Sequence, residues 1–404
     1  MPFDFRPYEP GFNADPYPTY DELRSAEPIS YQEQFNLVMF SRYGDVRSIL
    51  RDRRFGRDAL HVMSEEDLNH PTPILRDYPV WTRFNRSLGF IDMEPPDHKR
   101  LRGLVSRAFT PKRVEALRPR ARELADQLAA AAAERGSMEA IADYATPIPL
   151  TIISEMLAIP EADRAQLIDW SRAIVGLYEL GGAEDNGPAA EQATIDFVEY
   201  MRGQVAERRA NPGDDLMTAL IEVEEEGERL SEDELIATCI LLLNAGHEAT
   251  VHAIGNGLQA LAAHPDQFDL LRQHPEHAAG AAEELLRFDT PLQMFDRWVL
   301  EDVDWEGHQL QRGSKVGLLL GAANRDPERF EEPNRLDLTR DDNAHVSYGG
   351  GIHSCLGAPL ARIELQEAFG AVARHVEKLE FNGDAPRHDS FIFRGVTSLP
   401  LALG

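Results

Sequence analysis

Apolar positions along this chain recur with a period near 3.6 over most of its length and alternate only in short runs. That pattern predicts a mainly α protein with a few short strands. Tyr17–Arg24 reads as a short helix following DPYP. YQEQFNLVMF alternates like a strand pair, with another short helix behind it. Residues 56–96 carry prolines and charges without a sustained period. They read as a long ordered loop with helical pieces, of the kind that lines binding sites, or as a plain surface excursion. Leu101, Leu104, Val105 and Ala108 fall at helical spacing, and Pro111 suits the start of the next helix. From Val114 to Arg209 the pattern is helical, broken at Gly136, Pro147–Pro149, Pro160 and Gly181–Pro188. The last break reads as a flexible connection between two helices. The acidic run EVEEEGE reads as a solvated turn.

The most distinctive helix opens at Ser231. SEDE there is a capping box, with Glu234 three residues after the cap. The pattern extends to Ala263, where His264–Pro265 stops it, giving a length of roughly 45–50 Å. Leu235–Leu243 is apolar nearly all round, so this part belongs in the core. NAGHEAT, Asn244–Thr250, then interrupts it with polar groups. Glu248 is costly there unless it is paired or functional. Gly246 weakens a helix by ~1 kcal/mol relative to alanine, tolerable if something flat must approach. A buried polar network without chemistry is the alternative. Residues 267–288 continue as helix, and Glu284 and Arg287, three apart, share a face. On a surface such a pair contributes little. Short strands follow through QMFDRWVL and HQLQRGSKVGLLL, then helix 358–377 and a strand–turn–strand tip in FIFRGVTSLPLAL.

One stretch changes this picture from architecture to chemistry. Ser347–Gly357, SYGGGIHSCLG, packs four glycines, a histidine and one of the two cysteines into eleven residues ahead of a helix. Backbone N–H groups and the positive end of a helix favour a charged sulfur. Such a thiolate suits a haem iron; a buried free cysteine beside a glycine turn is the alternative. Composition narrows the setting. The 404 residues carry a net charge of −28, which argues against nucleic acid or an anionic membrane as partner. Two cysteines are too few for a disulfide framework, no secretory signal opens the chain, and no apolar run approaches a membrane span. A cytoplasmic protein is expected. Against the acidic background, residues 98–122 hold nine Lys or Arg and one acid, Glu115, a local inversion of sign that suits docking of an acidic partner.

Taken together, the cysteine stretch, the NAGHEAT helix and Glu284-Leu-Leu-Arg287 resemble the cytochrome P450 superfamily, specifically its soluble bacterial members. DPYPTYDELR, EPPDHKRLRGLVSRAFTP, PGDDLMTALI, ANRDPERF and CLGAPLARIE are similar to family segments, so the resemblance spans essentially the whole chain. It implies one mostly helical domain with a small β-rich lobe over residues 1–404, holding haem b (iron protoporphyrin IX). Cys355 corresponds to the proximal thiolate ligand of the iron. His353, His98, Arg102 and Arg297 correspond to partners of the haem propionates, with His98 and Arg102 pointing inward. Lys99, Arg100, Arg107, Lys112 and Arg113 are then left to face an acidic ferredoxin, itself served by a ferredoxin reductase. Glu284 and Arg287 match the family's structural pair, with Arg335 as expected third member and PERF at 327–330 as a decoy.

Asn244–Thr250 corresponds to the segment crossing the distal haem face, where the family usually carries an acid followed by threonine to relay protons. Here Glu248 is the acid, but Ala249 follows it, and Thr250 is displaced by about 100° around the helix. The expected activity is O₂-dependent monooxygenation of a small hydrophobic or hydroxylated, polyketide-like molecule. A substrate hydroxyl, or a water positioned by Thr250, would supply the missing hydrogen bond. Ala249 keeps open a coupling oxidase or peroxide-driven catalyst, and a haem carrier or sensor is a third reading. Expected pocket walls are the 60–92 loop, the break near Gly181, Ala245, Ala249, Leu292–Phe295 and Phe391–Val396.

Overall fold

The computed structural model describes residues 3–69, 74–179, 183–223 and 227–404. It is mainly helical, with three small sheets. Strands are β1 (Ile29–Gln32), β2 (Leu37–Phe40), β3 (Phe55–Gly56), β4 (Ser137–Glu139), β5 (Met294–Val299), β6 (Val303–Trp305), β7 (His308–Leu310), β8 (Lys315–Leu319), β9 (Leu379–Phe381) and β10 (Pro400–Leu403). The largest sheet runs β1-β2-β8-β5-β3, antiparallel except where β2 meets β8. β4-β10-β9 and β6-β7 form the others. The large sheet joins residues near the N-terminus to residues near 300, so the β lobe and the helical lobe are parts of one fold.

The helix predicted from Ser231 spans Glu232–Ala263, and both bonds of its capping box form. It is buried over most of its length because apolar residues surround it. Helix Ala358–His375 packs against it, against Arg118–Arg135 and against Ala278–Phe288, placing the element that follows Cys355 in the centre of the core.

Three expectations are corrected. The break at Gly181–Pro188 is not a flexible connection throughout: helix Ala183–Ala210 begins within it and runs through Pro188. A proline in the second turn costs one backbone bond near a helix start, which the rest of the helix tolerates. The C-terminal segment is not a strand–turn–strand tip. It makes isolated bridges, Leu292 to Phe393 and Arg387 to Val396, before β10. Phe391 is not a pocket wall but sits in an aromatic cluster with Phe5 and Phe12, and Val396 lies in the main core. Parts of other expected features, residues 70–73 of the 60–92 loop, Gly181, and 224–226 of the acidic run, lie outside the described residues. Among the described residues no helix is long and apolar enough to cross a membrane.

Candidate active site

The cysteine loop is shaped by its glycines. Gly349 and Gly351 adopt φ of +68° and +66°. A Cβ on Gly351 would fall 2.3 Å from the Leu50 carbonyl oxygen, so this position combines a left-handed backbone with a close approach. The Cys355 N–H donates to the Tyr348 carbonyl at 2.9 Å, closing the loop. Its sulfur accepts the N–H groups of Gly357 and Ala358 at the start of helix Ala358–His375. The cradle expected from the sequence is therefore present. The side chain is solvent-accessible, yet protein crowds its sulfur enough that burial pushes the thiol pKa up. Both hold when the accessible area is the wall of an internal cavity. Burial outweighs the two N–H groups and the charges of Arg102 and Arg362, so the cradle alone does not make a thiolate. A bound cation would complete the deprotonation.

A buried ion network anchors this loop. Glu284 and Arg287, both fully buried, are bidentate at 2.7 and 2.8 Å, which excludes the surface-pair reading. Arg287 also donates to the carbonyls of Asn324 and Pro333, each at 2.9 Å. Asn324 in turn bonds the Ser347 hydroxyl and the Val346 N–H at 2.8 Å, at the mouth of the cysteine loop. The third member of the network is Arg340, 3.2 Å from Glu284, and not Arg335. The Arg335 side chain is exposed on Glu332, and only its carbonyl meets Arg287. The turn through residues 335–340 carries Arg340 inward. Arg329 of PERF pairs with Asp342 and stays outside the network, as a decoy should.

A second group of cations collects beside the loop. The His98 and His353 rings lie 4.6 Å apart, both buried. His98 Nε2 and His353 Nδ1 have no hydrogen-bond partner. Arg297 is buried, and its Nη1 donates only to the Asp296 carbonyl, at 2.7 Å. Burial, then the neighbouring Arg57 charge, pushes its pKa down to about 9. Each nearby acid is already engaged. Asp92 holds Arg57 at 2.9 Å, Asp296 holds Lys315 at 2.6 Å, and Glu94 lies 3.3 Å from His353. Among the described residues Arg297 forms no ion pair. Two orphaned imidazole nitrogens and an unneutralised guanidinium fit a group that brings two negative charges. Arg102, whose charge also acts on His98, donates to the Ser354 carbonyl at 2.6 Å, beside Cys355. Sequence reasoning missed Arg57, which pairs with Asp92, and Glu94, which meets His353 and accepts the Arg57 backbone N–H, because nothing in FGRD or MEPP marks a buried charge before the fold brings these segments together.

Along the long helix, exposure returns at Leu241, Ala245, Glu248 and Ala249, one stripe at helical spacing between buried neighbours. Gly246, itself partly exposed, lies off this stripe against Ile153, where a Cβ would fall 3.1 Å from the side chain. Thr250 is also off it and buried. Glu248 lies 3.9 Å from both Arg172 Nε and His247 Nε2, pairing loosely with each.

Comparison with known proteins decides the family. The family model described as Cytochrome P450 matches residues 185–390. The polyketide biosynthesis cytochrome P450 PksS of Bacillus subtilis is 35% identical, over 99% of this chain and 98% of its own length.

The chain belongs to the cytochrome P450 family.

The 6-deoxyerythronolide B hydroxylase of Saccharopolyspora erythraea is 35% identical over 97% of each chain. Among solved structures, P450BioI in complex with an acyl carrier protein ligated to hexadec-9Z-enoic acid superposes with a TM-score of 0.89. It is 33% identical and covers 98% of this chain and 99% of that one. This P450 is thus a haem monooxygenase of the bacterial type, with the family's fold. The orphaned donors beside Cys355 fit the cofactor that the family requires.

Proposed function

We propose that this P450 inserts one oxygen atom from O₂ into a small hydroxylated, polyketide-like molecule, using electrons from a ferredoxin and its reductase in the cytoplasm. The observation that carries the reading is the open stripe Leu241–Ala245–Glu248–Ala249, which offers a carboxylate and no hydroxyl at the position after it. Relatives named for polyketide biosynthesis and macrolactone hydroxylation support the substrate class.

Haem b, when bound, supplies the O₂ chemistry. Cys355 would be its thiolate ligand, cradled by the N–H groups of Gly357 and Ala358. His98, His353 and Arg297 would hold the propionates, whose charge would meet the two free imidazole nitrogens and the Arg297 guanidinium. Arg102 keeps the Ser354 carbonyl fixed beside the thiolate. Glu248 brings the proton. Ala249 leaves room for a substrate hydroxyl, or a water held near Thr250, to accept that hydrogen bond. Of the basic stretch, Lys99, Arg107 and Lys112 are exposed and suit an acidic ferredoxin. Arg100 does not, since it is paired with Glu234, and Arg113 leans toward Asp214 at 3.8 Å.

Turnover with a ferredoxin system under isotopically labelled O₂ tests the reading. The label is expected in the product. Its absence, with substrate still oxidised, favours the coupling or desaturating oxidase that Ala249 also permits. No substrate-dependent electron uptake at all would point to a carrier.

A further inference from the structure

A line of titratable groups runs behind Glu248 that the reading above leaves unused. His252 lies one turn beyond Glu248, on the same side of the long helix. It is buried, and its Nδ1 has no partner. Its ring meets that of His388 edge-on, at 4.9 Å. The contact is built in, because a Cβ on Gly395 would fall 2.1 Å from His252 Nδ1. His388 sits half-buried on the C-terminal loop, its N–H bonded to the Gly395 carbonyl at 3.1 Å. His247, also buried, donates from Nδ1–H to the Leu243 carbonyl at 2.7 Å and turns an unpartnered Nε2 toward Glu248. Arg172, on helix Arg164–Val175, closes the group from the far side.

These groups sense one another. Burial lowers the His388 pKa, the Glu248 charge raises it, and Arg172 lowers it again. Burial and then His388, His247 and Arg172 hold His252 neutral, with a pKa of about 3. The half-exposed member is therefore the one that can exchange a proton with solvent. The buried one is kept from trapping it.

We propose that His388, positioned by His252, recharges Glu248 with protons from solvent. This rests on the monooxygenase reading. His388 binds a proton from water to become imidazolium. It passes that proton, across an intervening water, to the Glu248 carboxylate, leaving a neutral imidazole and a neutral carboxylic acid. Glu248 releases the proton on its open-stripe side and returns to carboxylate. No electrons move in these steps. The route enters from the C-terminal loop and does not pass through residue 249, so the missing threonine does not interrupt it.

The test uses the haem-loaded enzyme in its diamagnetic ferrous–carbon monoxide form, with ¹³C-labelled histidine followed by NMR from pH 5 to 8. His388 is expected to titrate below the ordinary imidazole value, and Glu248→Gln to lower its midpoint further by removing the charge that raises it. His252 is expected to stay neutral throughout. A His388 midpoint unmoved by Glu248→Gln overturns the proposal. So does a His252 that titrates in the same window. In turnover, His388→Gln and His252→Asn are each expected to lower product per electron by roughly 10-fold, to enlarge the solvent deuterium effect and to shift the pH profile. Unchanged coupling and an unchanged profile in His388→Gln, with the carbon monoxide spectrum intact, also overturn it. Failure of the monooxygenase reading has a different signature: unlabelled product from the wild type.

Discussion

The cysteine loop and the open stripe of the long helix solve opposite problems. In the loop the backbone and the anchoring side chains are engaged, while the Tyr348 hydroxyl and His353 Nδ1 are not. Backbone N–H groups meet the sulfur, Asn324 ties Val346 and Ser347, and Glu284, Arg287 and Arg340 lock the segment before it. Around the stripe the polar groups are underused. Glu248 sits at 3.9 Å from its two partners, and His247, His252 and Asn244 each keep an unpartnered atom. A group that must be held needs satisfied neighbours, and a group that must hand on protons needs unsatisfied ones. Rigidity is therefore concentrated around Cys355 and chemical freedom along the open stripe.

Breaking the rigid side should have the larger effects. Cys355→Ala is expected to abolish the red-shifted carbon monoxide difference band and to reduce turnover to background. Retention of either in correctly folded protein would sink the assignment of this cysteine. Glu284→Gln leaves Arg287 buried without its partner and should cost about 3–5 kcal/mol in denaturant unfolding. Arg340→Ala should be clearly destabilising too, whereas Arg335→Ala, removing an exposed side chain, should stay within about 0.5 kcal/mol. The reverse order would restore Arg335 to the network. Gly351→Ala forces a left-handed residue against the Leu50 carbonyl and should cost roughly 1–3 kcal/mol, measured in the same way.

The rigid side should also be acid-sensitive. Glu283 lies 3.2 Å from His345 and 2.8 Å from Arg362. Despite burial, which acts to raise it, these partners pull its pKa down to about 2. A carboxylate depressed in the folded state contributes stability above its unfolded value, near pH 4.5. That contribution is lost as pH falls from about 4.5 toward 2. Partial exposure limits it to roughly 1–2 kcal/mol. Glu283→Gln should flatten the acid limb of the stability curve, and an unchanged limb would show that other carboxylates dominate.

The same contrast explains what the sequence made legible. The long helix, its capping box and its end at His264 follow from local pattern, and they appear as expected. The cysteine cradle was legible because glycines, a cysteine and a helix start are contiguous. Arg340 was not, since which arginine of NRLDLTR turns inward depends on a turn that periodicity does not encode. The His98–His353–Arg297 group was legible only through family likeness, because its members come from three distant segments. The His252–His388 contact was invisible for a related reason. It depends on Gly395 lying against the long helix, and nothing local to any of these residues announces that packing.

The smallest effect sharpens the comparison most. Ala249→Thr adds one hydroxyl on the open stripe and disturbs little else, because position 249 is only partly covered. If a substrate hydroxyl already supplies the hydrogen bond, the added group is redundant or in the way. Product per electron with the native substrate should then change by less than about twofold, since no new transition-state contact is gained. With an analogue lacking that hydroxyl, wild type should lose coupling and the variant should recover part of it. A sharp rise with the native substrate would mean that the site is simply impaired, and that substrate assistance is wrong. A loss with both substrates would mean instead that the alanine is needed for space.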